Sequence, residues 1–505
     1  MSIKKRGLLA TVGATMAAAA LVLSGSAAAN AATLPVPTQS TVTITKLSQP
    51  TTLGAAANGT QQSLPSGSSP IAGVTFDYYL VTNTAAGQSS DIGTQTGQVY
   101  VSGLTATTAP VPTTPTGSFD QTAATTGQTT KVLPRGLYVV RESTTPAGVT
   151  PAAPFLLAVP LTDPVNRDAW LSTIYVYPKN AQVGATKTVG TESLVVGGDV
   201  TWTISADIPR NANPAGTPAF IAPDAFEIQD TLTDAELKLS TTASPAITVK
   251  AGSTTLAVGT HYTVTPVTGA GTTTQQIVFT AAGRAALATA INADANAKVT
   301  VALVTTVQKA AEISNTAKVF PDAVSKTNNK PIVTPSVSTK YGTYLLNKKS
   351  SDATLNDLSG AQFRVYTSEA SAIAGGNDYL TTSTNAGGLW TTAANGQVSV
   401  GGLRYSGWVN GLTVAAGQPG YQTYWLVEVK ALAGHQLLAA PVSFTVDANS
   451  AAQTAQTITN QKTTGGFVLP LTGGSGVVLF TVFGIVILAA VLIVARLRRR
   501  SVTEQ

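Results

Sequence analysis

The chain is 505 residues long, contains no cysteine and carries a formal net charge of +6. Three basic residues lie among its first ten positions, and four basic residues and one acidic residue lie among its last ten, so 23 residues of each sign remain between these ends. The neutral body argues against a nucleic-acid-binding surface. Without disulfides, packed cores, metal or another cross-link must stabilise the fold.

The N-terminus has the pattern of a secretory signal peptide. A basic run at 4–6 precedes an apolar stretch at 8–23, and small residues follow at 29–31. This order predicts a signal peptide at 1–31 that is cleaved after Ala31. A first transmembrane helix is the alternative, but the apolar core is short and rich in alanine. The mature chain is therefore expected outside the cell.

The body of the chain predicts an all-β fold of three tandem immunoglobulin-like sandwiches, at 32–181, 182–335 and 336–462. Short alternating segments with turn residues between them are typical of β-sandwiches. One helix is predicted at 281–297, and the stretches near 50–70 and 104–130 are interpreted as long surface loops. The predicted strands lie at 41–46, 74–80, 137–142, 173–177, 200–204, 225–230, 298–306, 362–366 and 424–429.

Segments 41–180 and 344–460 form a weak internal repeat. A lysine, a Gly-x-x-Phe, a glutamate and an asparagine recur in the same order in both segments. The middle segment carries a lysine, an aspartate and an asparagine in a different scheme. The three sets of residues are Lys46, Glu142 and Asn180; Lys187, Asp230 and Asn315; and Lys348, Glu428 and Asn460.

Strand parity places each set on the inward face of its domain. Side chains two residues apart share a face of a strand, and every member of the three sets shares its face with apolar neighbours. Burying such polar groups singly would be costly, whereas burying them together permits chemistry. A dry core favours a neutral lysine and a protonated acid, and that acid could polarise the asparagine carbonyl.

The chemistry predicted for each set is an internal cross-link. The amine would attack the asparagine side-chain carbon, expel ammonia and leave a Lys–Asn isopeptide bond without any cofactor. The acids Glu142, Asp230 and Glu428 would move the protons. The alternatives are a chance strand polarity and a buried hydrogen-bonded set that never reacts.

The C-terminus has the order of a cell-wall sorting signal. Leu469-Pro470-Leu471-Thr472-Gly473 precedes an apolar run at 477–495, and four arginines follow. The run is long enough to cross a bilayer as a helix, and the arginines would stay on the cytoplasmic side. The pentapeptide resembles the site that sortases cut between Thr and Gly. We predict linker, sorting signal, transmembrane helix and basic tail at 463–505; the alternative is an ordinary membrane anchor with a chance motif.

Further motifs carry a resemblance to a known family. Residues 138–149 resemble the E-box of pilins, and residues 424–437 resemble it more loosely. Residues 170–179 match the pilin motif WxxxVxVYPK, with Ile174 in place of Val. The first and third segments resemble collagen-adhesin B-type (Cna-B) domains, and the middle one resembles the isopeptide-forming domain of Gram-positive major pilins. Essentially the whole chain therefore resembles a three-domain, sortase-assembled shaft pilin.

The resemblance implies an acceptor amine for the sorting signal. Lys179 ends the pilin motif, and its parity is opposite to that of Asn180, so Lys179 faces outward if Asn180 faces inward. A class C sortase would join Thr472 of one subunit to Lys179 of the next and build a covalent head-to-tail fibre. The implied partners also include a tip or ancillary pilin, the housekeeping sortase and a peptidoglycan precursor. Otherwise Lys179 is an ordinary surface lysine.

The sequence offers little evidence for a metal, cofactor or enzymatic site. His261 and His435 are far apart and no cysteine is present, so neither a metal site at familiar spacing nor a cofactor is predicted. The leading hypothesis is a structural one, a secreted shaft subunit of a wall-anchored fimbria that supports adhesion. The alternative is an anchored adhesin that does not polymerise, and the third hypothesis is an anchored enzyme, for which no catalytic constellation beyond self-cross-linking is found. The acceptor lysine separates the first two.

Overall fold

The computed structural model describes residues 34–50, 57–82, 90–190, 193–213, 217–450, 456–463 and 475–500. These residues form mainly antiparallel sheets, and the predicted all-β class is confirmed. All nine predicted strands coincide with strands of the structure and differ only at their ends. The predicted signal peptide and the sorting pentapeptide lie outside the described residues.

The first region is a sandwich of two sheets. Its larger sheet has the order β4-β3-β6-β7, and in the facing sheet β1 lies between β5, to which it is antiparallel, and β8, to which it is parallel. Alternating apolar residues of both sheets form the core between them. The elements are β1 Gln39–Thr45, β2 Leu47–Ser48, β3 Thr75–Leu80, α1 Gln95–Ser102, β4 Gly117–Ser118, β5 Gln128–Pro134, β6 Gly136–Thr144, β7 Phe155–Val159, β8 Thr173–Val176 and β9 Lys179–Asn180.

The middle region contains two further sheets around the largest core. One has the order β10-β11-β20-β16-β17 with β15 beside β20, and the other has the order β18-β19-β14-β22-β23. The elements are β10 Ala185–Val189, β11 Asp199–Asp207, β12 Asn211–Ala212, β13 Phe220–Ile221, β14 Glu227–Thr233, β15 Leu237–Leu239, β16 Ile247–Ala251, β17 Thr254–Thr255, β18 Tyr262–Thr268, β19 Thr272–Phe279, α2 Ala281–Ala293, β20 Lys298–Val307, β21 Glu312–Asn315, β22 Ala317–Phe320, α3 Ala323–Thr327 and β23 Ile332–Val333.

The predicted helix of the middle region is present but ends earlier than expected. Helix α2 begins after Thr280, whose hydroxyl accepts a hydrogen bond from the N–H of Gly283. It ends at Ala293, because the carboxylate of Asp294 accepts a bond from the N–H of Asn296 at 2.8 Å. Such a local side-chain bond competes with the helical backbone bonds and starts a turn.

The chain divides into two compact units, and the second contains residues 343–381, 385–401 and 423–505. In the second unit, β24 pairs with β32 in parallel, and a second sheet has the order β26-β25-β30-β31. The stacked rings of Tyr344 and Phe444 lie in its interior, with centroids 4.3 Å apart. The elements that lie wholly or mainly in this unit are β24 Val337–Ser350, β25 Gln362–Tyr366, α4 Glu369–Ala374, β26 Trp390–Thr391, β27 Gln397–Arg404, β30 Tyr424–Lys430, β31 Val442–Phe444 and β32 Gln456–Asn460, whereas β28 Trp408–Val409 and β29 Leu412–Thr413 lie in the first unit.

Residues 382–384 and 402–422 belong to the first unit. The N–H of Arg404 donates to the carbonyl of Leu194 at 2.9 Å, and the indole N–H of Trp408 donates to the carbonyl of Ser338 at 2.8 Å. Contacts of this kind join distant parts of the sequence, and the local alternation of apolar residues does not predict them. The division at 182–335 and 336–462 stays a prediction.

The C-terminal helix α5 spans Ser475–Arg500. Its described side chains, from 481 to 496, are exposed. Within the part of the chain that the structure describes, no helix is both long enough and apolar enough to cross a membrane. The transmembrane helix expected at 477–495 therefore stays a prediction.

Candidate functional sites with buried lysine, acid and asparagine

The structure brings Lys46, Glu142 and Asn180 together in the core of the first sandwich. The Lys46 Nζ lies 2.5 Å from the Glu142 Oε1 and also contacts the Asn180 Oδ1. The Asn180 Nδ2 donates to the Glu142 Oε2 at 2.6 Å. Lys46 is completely buried, and Asn180 is 1% exposed.

Parallel strand pairing places the lysine beside the asparagine. Lys46 lies between β1, which pairs with β8, and β2, which pairs with β9. Ser48 is opposite Asn180 in this second pair. The acid comes from β6 in the facing sheet, where Glu142 is on the same side as the buried Tyr138 and Val140. The contact between Lys46 and Asn180 thus joins the start of the first region, between β1 and β2, to its last strand, β9.

In the middle region the structure brings Lys187, Asp230 and Asn315 together. The Lys187 Nζ lies 2.5 Å from the Asp230 Oδ2, and the Asn315 Nδ2 donates to the Asp230 Oδ1 at 3.0 Å. The ammonium group also donates to the carbonyl of Thr316 at 3.1 Å and lies 5.4 Å from the ring centroid of Trp202. The three side chains are buried.

The third set lies in the second unit, between β24, β30 and β32. The Lys348 Nζ is 3.7 Å from the Glu428 Oε1, and the Asn460 Nδ2 donates to the Glu428 Oε2 at 2.7 Å. The backbone N–H of Leu438 donates to the same Oε2 at 3.0 Å. Lys348 is completely buried, so this set also lies in a dry environment.

Burial shifts all three lysines toward the neutral amine. Desolvation lowers the pKa of Lys46 from 10.5 to about 8, and the charge of Glu142 opposes this effect only in part. Desolvation also lowers the pKa values of Lys187 and Lys348, again against the attraction of the neighbouring acid. A neutral amine has the free electron pair that attack on an amide carbon requires.

The hydrogen bonds of the acids differ from the arrangement expected from the sequence. At each site the asparagine nitrogen donates to the carboxylate, whereas the sequence predicts an acid that donates to the asparagine carbonyl. An ionised carboxylate can only accept hydrogen bonds. A carboxyl group can donate a hydrogen bond only when it is protonated.

Two glycines that are not among the predicted site residues support the lysine backbone. The carbonyls of Gly127 and Gly396 accept hydrogen bonds from the N–H groups of Lys46 and Lys348 at 2.8 and 2.7 Å. Both glycines have positive φ, +63° and +80°, and a Cβ on Gly127 would lie 2.6 Å from the Lys46 carbonyl oxygen. A recurring Gly-Gln pair, at 127–128 and 396–397, is the signal that could have identified them.

Replacing Gly396 by alanine is expected to weaken the third site. The added Cβ would collide with the carbonyl oxygen of Lys348, in addition to the strain of positive φ. Gly375→Ala is the matched control, because Gly375 has φ +65° and nothing within 4 Å of an added Cβ. We expect Gly396→Ala to lower the thermal midpoint of the second unit by more than Gly375→Ala does. Equal midpoints would contradict the role of this close contact.

Lys179 lies on β9 next to the buried Asn180. Its side chain is partly exposed, and its Nζ donates to the carbonyl of Tyr177 at 3.5 Å. Partial burial lowers the pKa of Lys179 below its ordinary value. Backbone pairing of β9 with β2 holds the position of this lysine, opposite Leu47.

Within the described residues, no group of three or more histidine, cysteine, aspartate or glutamate residues is arranged to hold a metal ion. His435 instead contacts the hydroxyl of Ser350 through its Nε2 at 2.6 Å. The pentapeptide Leu469-Pro470-Leu471-Thr472-Gly473 lies outside the described residues.

Three family models match the chain. The model described as Gram-positive pilin subunit D1, N-terminal domain, matches residues 37–181. A prealbumin-like fold domain matches residues 342–462, and the LPXTG cell wall anchor motif matches residues 461–502. The fold and the anchor together define a class, the surface proteins that are attached to the cell wall.

Individual relatives specify the family further. The fimbrial subunit type 1 of Actinomyces viscosus is 31% identical, and the match covers 98% of both chains. The fimbrial protein FimP from Actinomyces oris is 26% identical over 85% of this chain and 98% of its own, with a TM-score of 0.52. The major pilin SpaA of Corynebacterium diphtheriae shares the fold, with 21% identity over 84% of this chain and 100% of its own and a TM-score of 0.58.

The chain belongs to the Gram-positive fimbrial subunits that carry an LPXTG cell-wall anchor, the sortase-assembled pilins. The predicted family, the surface location and the structural role as a pilus shaft subunit are confirmed at this level. The family is one of structural proteins and not of enzymes.

Proposed function

We propose that the chain forms the shaft as a head-to-tail polymer in which Thr472 of one subunit is joined to Lys179 of the next. The observation that carries this proposal is the position of Lys179. Its side chain is partly exposed and has a lowered pKa, while the adjacent Asn180 is held in the core. An acceptor lysine on a fixed backbone has less freedom to lose when it reacts than one on a mobile loop.

A class C sortase would carry out the joining reaction in two acyl transfers. The amide bond between Thr472 and Gly473 breaks, and the threonine carbonyl becomes a thioester on the enzyme. The neutral amine of Lys179 then attacks the thioester, the enzyme thiol leaves, and a new amide bond forms. The housekeeping sortase would transfer the last subunit to a peptidoglycan precursor in the same way, and a tip or ancillary pilin would occupy the far end.

The same proposal includes an internal bond at each buried set. The lysine gives a proton to the acid, and its neutral amine attacks the Cγ of the asparagine. The acid gives this proton to the departing nitrogen and takes a second proton from the attacking nitrogen, so ammonia leaves and a Lys–Asn amide remains. The 2.5 Å contacts of Lys46 with Glu142 and of Lys187 with Asp230 support the first proton transfer. The three domains proposed for these bonds are 32–181, 182–335 and 336–462.

Deleting residues 469–473 tests the joining reaction. We expect the deletion to remove both the polymer and the attachment to the wall, because the threonine that would acylate a sortase is lost with the sorting motif. The measurement is an immunoblot of wall and membrane fractions, in which wild type should give a ladder of multimers that resist boiling in detergent. The proposal would be contradicted if the variant that lacks residues 469–473 were found in the wall fraction. A single wall-bound wild-type band would instead favour the non-polymerising adhesin that supports adhesion alone.

A further inference from the structure

The third buried set differs from the first in the hydrogen-bond partner of its asparagine carbonyl. In the first set, the Asn180 Oδ1 contacts the Lys46 ammonium group. In the third set, the Asn460 Oδ1 accepts a hydrogen bond from the backbone N–H of Leu432 at 3.4 Å. Leu432 is 3% exposed, so this donor is shielded from water.

Leu432 occupies the place that a proline occupies in the first sandwich. Both residues stand four positions after the acid, at Pro146 after Glu142 and at Leu432 after Glu428. Each opens a turn of the same kind, because its carbonyl accepts a bond from the residue three positions later, at 3.2 and 3.0 Å. The third residue of each turn is a glycine with positive φ, 77° and 72°.

The ends of the two turns are held in the same way. Val149 forms a bridge with Gln182, and His435 forms a bridge with Lys462. Each bridge partner lies two residues after the reacting asparagine. The two turns are therefore equivalent, and the decisive difference is chemical: proline has no backbone N–H, whereas leucine has one.

We propose that the backbone N–H of Leu432 is an oxyanion-hole donor for the bond between Lys348 and Asn460. This inference rests on the internal bonds proposed above. When the Lys348 amine adds to the Asn460 Cγ, the C=O double bond opens and negative charge develops on Oδ1, toward which the Leu432 N–H points. The carbonyl reforms as the Cγ–Nδ2 bond breaks, and the proton delivered through Glu428 leaves with the nitrogen as ammonia.

The length of the bond before reaction suits this role. A donor accelerates a step only if it binds the transition state more strongly than the starting amide. At 3.4 Å the bond to the neutral carbonyl is weak, and it becomes stronger as the oxygen acquires charge in a dry site. The donor is part of the backbone of an ordered turn, so it needs no reorganisation when the charge appears.

The test removes this N–H and retains the side chain. The full chain is made by cell-free translation, and Leu432 is replaced by its α-hydroxy analogue, leucic acid, which turns the backbone amide into an ester. The rates of all three bonds are followed by mass spectrometry of cross-linked tryptic peptides. We expect the Lys348–Asn460 bond to form at least about tenfold more slowly, while the Lys187–Asn315 bond keeps its rate.

Two substitutions control for packing. Leu432→Ala keeps the N–H and shortens the side chain, so its Lys348–Asn460 bond should form faster than that of the ester variant. Leu432→Pro copies the first sandwich and should be slow like the ester. The inference would be overturned if the ester variant reacted at the wild-type rate, or if Leu432→Ala reacted as slowly as the ester variant. A wild-type chain that lacks this bond altogether would instead refute the internal-bond proposal.

Discussion

Replacing Lys179 by arginine is expected to abolish the multimer ladder and leave a single wall-anchored subunit. The substitution keeps the positive charge and the length of the side chain, but a guanidinium group is not a competent nucleophile for a thioester. The Thr472 end stays intact, so attachment to peptidoglycan should continue. An immunoblot of detergent-boiled cell-wall extracts measures the result, and the expected loss is complete rather than graded.

Lys131→Arg is the matched control for this experiment. Lys131 also lies on a strand of the first sandwich and is also partly exposed, but it is outside the pilin motif. Its ladder should be that of wild type. The Lys46–Asn180 bond should still form in the Lys179→Arg chain, which shows that the first sandwich is folded. A ladder that persists in Lys179→Arg would exclude Lys179 as the acceptor.

The inward faces of the strands could be predicted from the sequence because side-chain direction alternates with a period of two. This local rule placed the lysines, acids and asparagines among apolar neighbours, and the structure buries all nine. Their roles as reacting groups stay proposals. The all-β class followed from the same alternation and from the spacing of turn residues.

Two of the features that the sequence did not predict depend on contacts between distant segments. The close approach of Gly396 to Lys348 and the position of residues 402–422 in the first unit depend on tertiary packing. The early end of helix α2 depends on a single side-chain bond at Asp294. The role of the Leu432 N–H was not predicted for another reason. The absence of the proline only weakens the resemblance to the motif, and the resemblance does not indicate that a hydrogen-bond donor has been added.

Replacing Glu428 by glutamine is expected to prevent the internal bond of the third set alone. Glutamine keeps the shape of the side chain and can still accept from Leu438, but it cannot take a proton from Lys348. Each internal bond releases one ammonia, so the mass of the intact chain should fall by about 17 Da per bond. With all three bonds formed in wild type, the variant should show one deficit fewer.

The missing bond should also destabilise the second unit. In the reacted chain the bond closes a loop of roughly a hundred residues and restricts the unfolded chain. By analogy with disulfides, this should raise the free energy of unfolding by about 4–5 kcal/mol. The thermal midpoint of the unit should fall and its digestion by protease should become faster. Asn460→Ala is the companion variant, because it removes the other reacting group while Glu428 stays in place.

Comparison of the two variants separates the covalent bond from the hydrogen bonds around it. If the bond supplies most of the stability, Glu428→Gln and Asn460→Ala should have similar midpoints, although they disturb different contacts. The sets at Asp230 and Glu142 should react normally in both, because each lies in a separate core. A wild-type mass without any ammonia deficit would refute all three internal bonds. A normal deficit in Glu428→Gln would show that the amine reaches its neutral form through burial alone, without a proton acceptor beside it.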